Sequence, residues 1–155
     1  MKQYLKSFIP DFREPDASFD LRDLEDPDFM CPVKRHEIRV YIISATDGTK
    51  YIYPNGKRSP IIYIGMSKDL LRRLIEHYKN LRELLVDKNY GIDNNEQLHS
   101  RYQYMCYNGS HVDVFNRRGP QDAKNLESIL LNQFYKKYRA LPVGNGARSF
   151  GRKKT

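Results

Sequence analysis

From Glu37 to Ser44 the chain alternates Ile38, Val40 and Ile42 with Arg39, Tyr41 and Ile43. The β-branched and aromatic content of that run predicts a strand. Asp47-Gly48 supplies a hairpin-type turn, Tyr51 to Tyr53 a short strand, Pro54-Asn55-Gly56 a second turn, and Pro60 to Gly65 a further strand. Gly65 ends it, and Ser67 or Asp69 can cap a following helix by accepting from its exposed backbone N–H groups. That helix, Asp69 to Val86, carries Leu71, Leu74, Ile75, Tyr78, Leu81 and Leu85 at the spacing of one buried stripe. A polar loop over 87–95 leads to a second helix from Glu96 to Tyr107. His111 to Arg117 alternates as a strand, with Val112, Val114 and Asn116 on one side and Asp113 and Phe115 on the other. Gly119-Pro120 then precedes a helix from Gln121 to Arg139. Together these elements predict an α+β fold: a small, mostly antiparallel central sheet of about three strands plus an inserted hairpin strand, flanked by helices.

At 155 residues and 39% hydrophobic content, the chain has enough apolar material for one modest core. Its longest apolar runs are short, as at Ile61 to Ile64, which argues against a membrane span. Met1 to Asp11 lacks a signal-peptide core, so the expected compartment is the cytoplasm. Cys31 and Cys106 are isolated and read as reduced thiols, and the histidines form no transition-metal spacing.

Charge changes the picture because it is unevenly spread. The net charge is +8, yet residues 1–28 hold eight acids against four bases and residues 29–155 hold 23 bases against 11 acids. Residues 1–32, broken by Pro10 and Pro15, read as an acidic N-terminal arm with at most a short helix. Residues 33–147 form the folded domain and 148–155 a basic tail. A basic domain favours polyanionic partners. Candidate phosphate contacts are Lys57 and Arg58 in the hairpin, Arg117 and Arg118 after the late strand, and Arg148, Arg152, Lys153 and Lys154 in the tail. A solvated basic surface is the alternative for each taken singly.

Two sets of residues break the apolar pattern. At about 100° per residue, Ala123, Leu130, Leu131, Phe134 and Tyr138 lie within about 45° of Glu127, which puts a carboxylate inside the apolar stripe of its own helix. Unless the helix buries a different face, such a group needs a partner, either a structural salt bridge or a hard cation. Arg73 and His77 stand four residues apart at the rim of the earlier helix, where such side chains usually snorkel.

The stretch Tyr63-Ile64-Gly65-Met66-Ser67 through Arg73 to His77 resembles the second signature of the GIY-YIG endonucleases. There YIG is followed by a helix, an Arg ten positions after the Tyr and commonly a His four beyond that. Arg39-Val40-Tyr41 stands where the GIY element would, with Arg39 in place of its Gly and Tyr41 matching its Tyr. Glu127 matches the metal-binding Glu, and Leu141 to Asn145 the Asn-containing segment after it. The resemblance spans residues 37–147. The 21 residues between Tyr41 and Tyr63 exceed the short family hairpin and are similar to insertions in members that act as restriction enzymes.

The resemblance implies a GIY-YIG nuclease-like fold and a Mg²⁺-dependent endonuclease acting on double-stranded DNA, in the manner of a site-specific type II restriction enzyme. Its catalytic set would be Tyr41, Tyr63, Arg73, His77, Glu127 and Asn145. Glu127 would hold one Mg²⁺, for which Mn²⁺ could substitute, and Arg73 would bind a non-bridging oxygen. Tyr41 would orient or deprotonate the attacking water with His77 as relay, Tyr63 would position water or phosphate, and Asn145 would support the site. One site per chain implies a homodimer or sequential nicks for double-strand cleavage. The alternatives are a non-catalytic nucleic-acid-binding module and a structure-specific repair or recombination nuclease.

Overall fold

A computed structural model describes Leu5, residues 14–86 and residues 101–145, with the side chains of 84–86 outside the described set. Its order is β1 (Ala17–Asp20), a 3-10 helix (Leu21–Glu25), β2 (Arg39–Ser44), β3 (Tyr51–Ile52), β4 (Arg58–Ser59), β5 (Ile61–Ser67), α1 (Leu70–Val86), α2 (Arg101–Asn108), β6 (His111–Asn116) and α3 (Pro120–Tyr138). The fold is α+β. Four strands form one antiparallel sheet in the order β1-β6-β2-β5. No helix among the described residues is long and apolar enough to cross a membrane.

The fourth strand of this sheet is not the expected hairpin strand. β3 and β4 pair only with each other, in a separate two-stranded sheet. The true fourth strand comes from the segment read as an acidic arm. Phe19 and Leu21 are buried, Ser18 Oγ donates to Asp113 at 2.6 Å, and the Asp16 carboxylate accepts from the Asn116 amide at 2.7 Å. Several acids that looked solvated therefore carry β1 onto β6, while a four-residue strand is too short for its alternation to stand out.

Alternation along β2 divides the core. Val40 and Ile42 face α3 with Ile64, Phe115, Leu130 and Phe134. Tyr41 and Ile43 face the α1/α2 side with Val112, Val114, Leu70, Leu74 and Met105. The β2–β5 register runs evenly from Arg39↔Ser67 to Ile43↔Tyr63 and then jumps to Ser44↔Ile61, so Ile62 is the extra residue of a bulge. Tyr41 and Gly65 are directly paired, and Tyr63 follows on the same face.

α1 begins as expected, with Asp69 accepting from Arg72 N–H at 3.5 Å and Ser67 Oγ accepting from Asp69 N–H at 3.1 Å. Its buried face differs from the expected stripe. Leu70, Leu74, His77 and Leu81 point inward, and Ile75 is 40% exposed. The helix is rotated so that a polar residue, His77, replaces an aliphatic one in the core. The second helix is described over Arg101–Asn108, and its expected start at Glu96 lies outside the described residues. α3 matches its expected span, with Pro120 in its first turn and Arg139 closing it in the left-handed conformation.

Candidate active site

The α1/α2 face of the sheet should be lined by apolar residues, yet polar groups meet at its β5 side. Tyr41 rises from the middle of β2 and is wholly buried. Its hydroxyl lies 2.8 Å from His77 Nε2, and His77 is wholly buried as well. On the other side of the imidazole, Nδ1 lies 3.0 Å from the Tyr102 hydroxyl on α2. The Tyr63 ring stands 5.6 Å from that of Tyr41 and 5.8 Å from that of His77, and the Arg101 guanidinium covers its outer face at 4.2 Å. Arg73, one turn before His77, pairs with Glu76 at 3.2 Å and lies near enough for its charge to act on the Tyr41 hydroxyl.

Gly65 makes this packing possible. Its partner position on β2 is Tyr41 and its same-face neighbour is Tyr63. A Cβ there would stand 2.5 Å from Tyr63 Cε1, so the Tyr63 ring rests on the bare backbone. Gly144 has a different reason to be glycine. A Cβ would meet the Ile62 carbonyl oxygen at 2.6 Å and Arg101 Cβ at 2.8 Å, where the loop after α3 closes on the outer edge of β5.

That edge is sealed by the loop. Gly144 N–H donates to Ile62 C=O at 2.7 Å. Asn145, itself buried, accepts from Ile64 N–H at 2.9 Å and donates to Ile64 C=O at 2.8 Å, as a neighbouring strand would. Asn145 thus positions the strand that carries Tyr63 and touches none of the site hydroxyls. Glu127 continues the seal, with its carboxylate taking a backbone hydrogen bond from Met66. It is half-buried at the border of the stripe formed by Ala123, Leu126, Leu130 and Phe134, not in the middle of it.

Burial dominates the electrostatics. It raises the Tyr41 pKa well above the ordinary phenol value, with Tyr63 adding to the effect and Arg73 only partly opposing it. Burial also pushes His77 down to about 3, helped by the cations Arg73 and Arg101. With the phenol pushed up and the imidazole pushed down, a tyrosinate–imidazolium pair is strongly disfavoured in the free protein. Burial likewise disfavours the charge of Arg73, but Tyr41, Tyr63 and Glu76 outweigh it and the group stays cationic. Glu127 is raised from the usual carboxylate value by burial, with Met66 and Lys124 acting in the opposite direction.

Among the described residues no three His, Cys, Asp or Glu side chains converge to hold a metal ion. Glu127 nevertheless suits a hard cation of the Mg²⁺ type, which binds through one or two carboxylates and fills its shell with water and substrate phosphate. Its charge is disfavoured by burial, and it forms no ion pair within the described residues.

Four of the sequence-derived site residues, Tyr41, Tyr63, Arg73 and His77, thus meet in one cluster, and Asn145 and Glu127 line the β5 edge beside it. The basic candidates do not converge. Arg117 and Arg118 follow β6 at the end of the sheet where β2 begins, whereas Lys57 and Arg58 belong to the hairpin at the opposite end, where Asn55 Nδ2 donates to Lys137 C=O. Arg117 is half-buried, while Lys57, Arg58 and Arg118 are exposed. Arg148, Arg152, Lys153 and Lys154 lie outside the described residues. Arg39, standing where the family has Gly, is held in a 2.8 Å pair with Glu37. Sequence reading missed Arg101 and Tyr102, for nothing in their spacing separates Tyr102 from Tyr104 or Tyr107. Comparison of the chain with protein-family models, curated proteins and solved structures gives no match.

Proposed function

We propose that this protein is a Mg²⁺-dependent DNA endonuclease with a GIY-YIG-like domain, acting as a site-specific restriction-type enzyme. The observation that carries the reading is the convergence of Tyr41, Tyr63, Arg73 and His77 from β2, β5 and α1 into one hydrogen-bonded and ring-packed cluster. Their order along the chain is that of the resemblance drawn above. A structural core has no evident need of two tyrosines, an arginine and a neutral histidine at one point.

In this reading Arg73 leaves the Glu76 carboxylate and presents its guanidinium fork to a non-bridging phosphate oxygen. Tyr63, half-buried beneath Arg101, marks where substrate reaches the cluster. Tyr41 faces the reacting water from beneath and gains or loses its proton through His77. Glu127 would hold the Mg²⁺, which when bound supplies Lewis-acid stabilisation of the phosphate charge. Asn145 keeps β5, and with it Tyr63, in register. Phosphate contacts by exposed basic residues would position the duplex without reading its sequence.

The second reading, a nucleic-acid-binding module without catalysis, draws on the complete burial of Tyr41 and His77 and on the Met66 amide that Glu127 already accepts. One experiment separates the two. Purified protein is incubated with supercoiled plasmid and with phage DNA in several methylation states, with and without Mg²⁺. Discrete Mg²⁺-dependent fragments, lost in Glu127→Ala and Arg73→Ala, support the restriction reading, and random nicking a repair role. Binding without cleavage in every condition supports the module and refutes the enzyme.

A further inference from the structure

We infer that Tyr102 is the outer member of a proton relay, Tyr41–His77–Tyr102, that connects the buried Tyr41 hydroxyl to the protein surface without His77 ever carrying a net charge. Its use in cleavage rests on the nuclease reading, but the hydrogen-bond order it requires does not.

The relay needs one order of hydrogen bonds around His77. His77 has a hydroxyl on each nitrogen, Tyr41 at 2.8 Å on Nε2 and Tyr102 at 3.0 Å on Nδ1. A neutral imidazole donates from one nitrogen and accepts at the other. The relay needs the phenol hydrogen directed to Nε2, and the Arg73 cation beside Tyr41 favours that order because it stabilises negative charge on the phenol oxygen and so makes the phenol the better donor. The imidazole hydrogen then sits on Nδ1 and is donated to Tyr102. Tyr102 keeps its own O–H free, and it is only half-buried, whereas Tyr41 and His77 have no exposure.

A proton leaves Tyr41 in three linked transfers. The Tyr41 O–H bond breaks as an N–H bond forms at Nε2. The Nδ1–H bond breaks as an O–H bond forms on Tyr102. The original Tyr102 proton passes to a water molecule at the surface. The products are a tyrosinate at position 41 and His77 in its other neutral tautomer, and the reverse sequence resets the site. The groups facing the imidazole are Tyr41 from β2, Tyr63 from β5, Arg73 on α1 itself, and Arg101 and Tyr102 from α2, and of these the two arginines, with burial, disfavour an imidazolium. Of the two, Arg73 would also stabilise the tyrosinate. This removes the obstacle that a neutral, low-pKa His77 would pose as a terminal base.

The test has two arms on the full-length protein. Long-range ¹H–¹⁵N spectra of histidine-labelled wild type should show His77 neutral and protonated on Nδ1 at pH 7. An Nε2–H tautomer or an imidazolium would overturn the relay whether or not the protein cuts DNA. In the second arm, Tyr102→Phe keeps the ring that packs 5.6 Å from His77 but removes the hydroxyl. With Mg²⁺ and supercoiled plasmid, kcat should fall at least tenfold at pH 7 and recover as the pH is raised, with KM unchanged and a smaller solvent deuterium effect. A variant with the rate and pH profile of the wild type would overturn the relay. If the wild type cuts no nucleic acid, the nuclease reading falls and the spectrum alone decides the hydrogen-bond order.

Discussion

Gly65→Ala separates the packing of the site from the stability of the fold. The new Cβ would stand 2.5 Å from Tyr63 Cε1 and 3.0 Å from Cζ and Oη. Carbon atoms in contact prefer about 3.5–4.0 Å, so Tyr63 must retreat by about 1 Å. Gly65 does not have a positive φ, so alanine meets no backbone strain. Tyr63 is half-buried and can give way outward, which keeps the stability loss near 1 kcal/mol, the low end of the overpacking range. Catalysis should suffer more, since a displacement of about 1 Å in a reacting group costs about 100-fold, or about 2.7 kcal/mol of barrier. Gly144→Ala is the contrast: its Cβ meets the Ile62 carbonyl at 2.6 Å, part of the sheet backbone, and stability should fall by about 2 kcal/mol or more. Urea denaturation midpoints and single-turnover plasmid cleavage measure the two effects. The reasoning fails if Gly65→Ala cleaves within about threefold of wild type, or if it is destabilised as much as Gly144→Ala.

Asn145→Ala should cost about 2–4 kcal/mol in urea denaturation, because it leaves the N–H and C=O of Ile64 without partners at a buried edge. Asn145→Asp keeps the acceptor for Ile64 N–H but turns a second oxygen toward Ile64 C=O, and should be destabilised as well. Arg73→Lys keeps the charge and loses the fork, so cleavage should drop about 10²–10³-fold while DNA affinity in a filter-binding assay changes little. Burial raises the Glu127 pKa in the folded state, so its contribution to stability is complete below the unfolded carboxylate pKa and is lost as pH rises through the folded value. Glu127→Gln should therefore be slightly more stable than wild type at pH 7, by a few tenths of a kcal/mol after solvent screening, and no more stable below about pH 4. The same variant should lose Mg²⁺-dependent cleavage, and equal activity would remove Glu127 from the site.

Long elements were legible and short ones were not. α1 and α3 each carry several turns of periodic apolar residues, and β2 and β6 lie where their alternation puts them. β1 escaped because its four residues offer one clear inward side chain, Phe19, and its flanking acids pair with β6 partners nearly a hundred residues away. Local composition cannot see such a partner. The hairpin was legible as a hairpin, but its attachment was not: Tyr53 packs 5.2 Å from Phe134 and 5.1 Å from Tyr138, contacts that no spacing rule supplies.

The site was read from its motif more than from its periodicity, and the reason is physical. A stripe drawn through the aliphatic residues of α1 leaves out His77, which turns the helix toward Ile75 and puts His77 at the rim. In the folded chain Tyr41 sits on one nitrogen of His77 and the half-buried Tyr102 on the other, so Tyr41 and His77 can be wholly buried at little cost in unmade hydrogen bonds. Pairing of that kind depends on α2 lying against α1, which sequence distance conceals.

The outer edge of β5 shows why the same residues serve fold and site. An edge strand presents unpaired amides and carbonyls that invite association with another chain. Here Gly144 takes Ile62 C=O, Asn145 takes both groups of Ile64, and Glu127 takes Met66 N–H. These three contacts hold straight the strand on which Tyr63 and Gly65 sit, and they bring the only half-buried carboxylate of α3 to its border. In the nuclease reading Glu127 would turn from Met66 to a cation, and the fold would survive because an edge amide can bond water instead. Asn145 has no such freedom, since both of its contacts are buried. On that reading the two polar residues that seal one edge divide the work: Asn145 fixes the strand, and Glu127 would be the member of the seal released to a ligand.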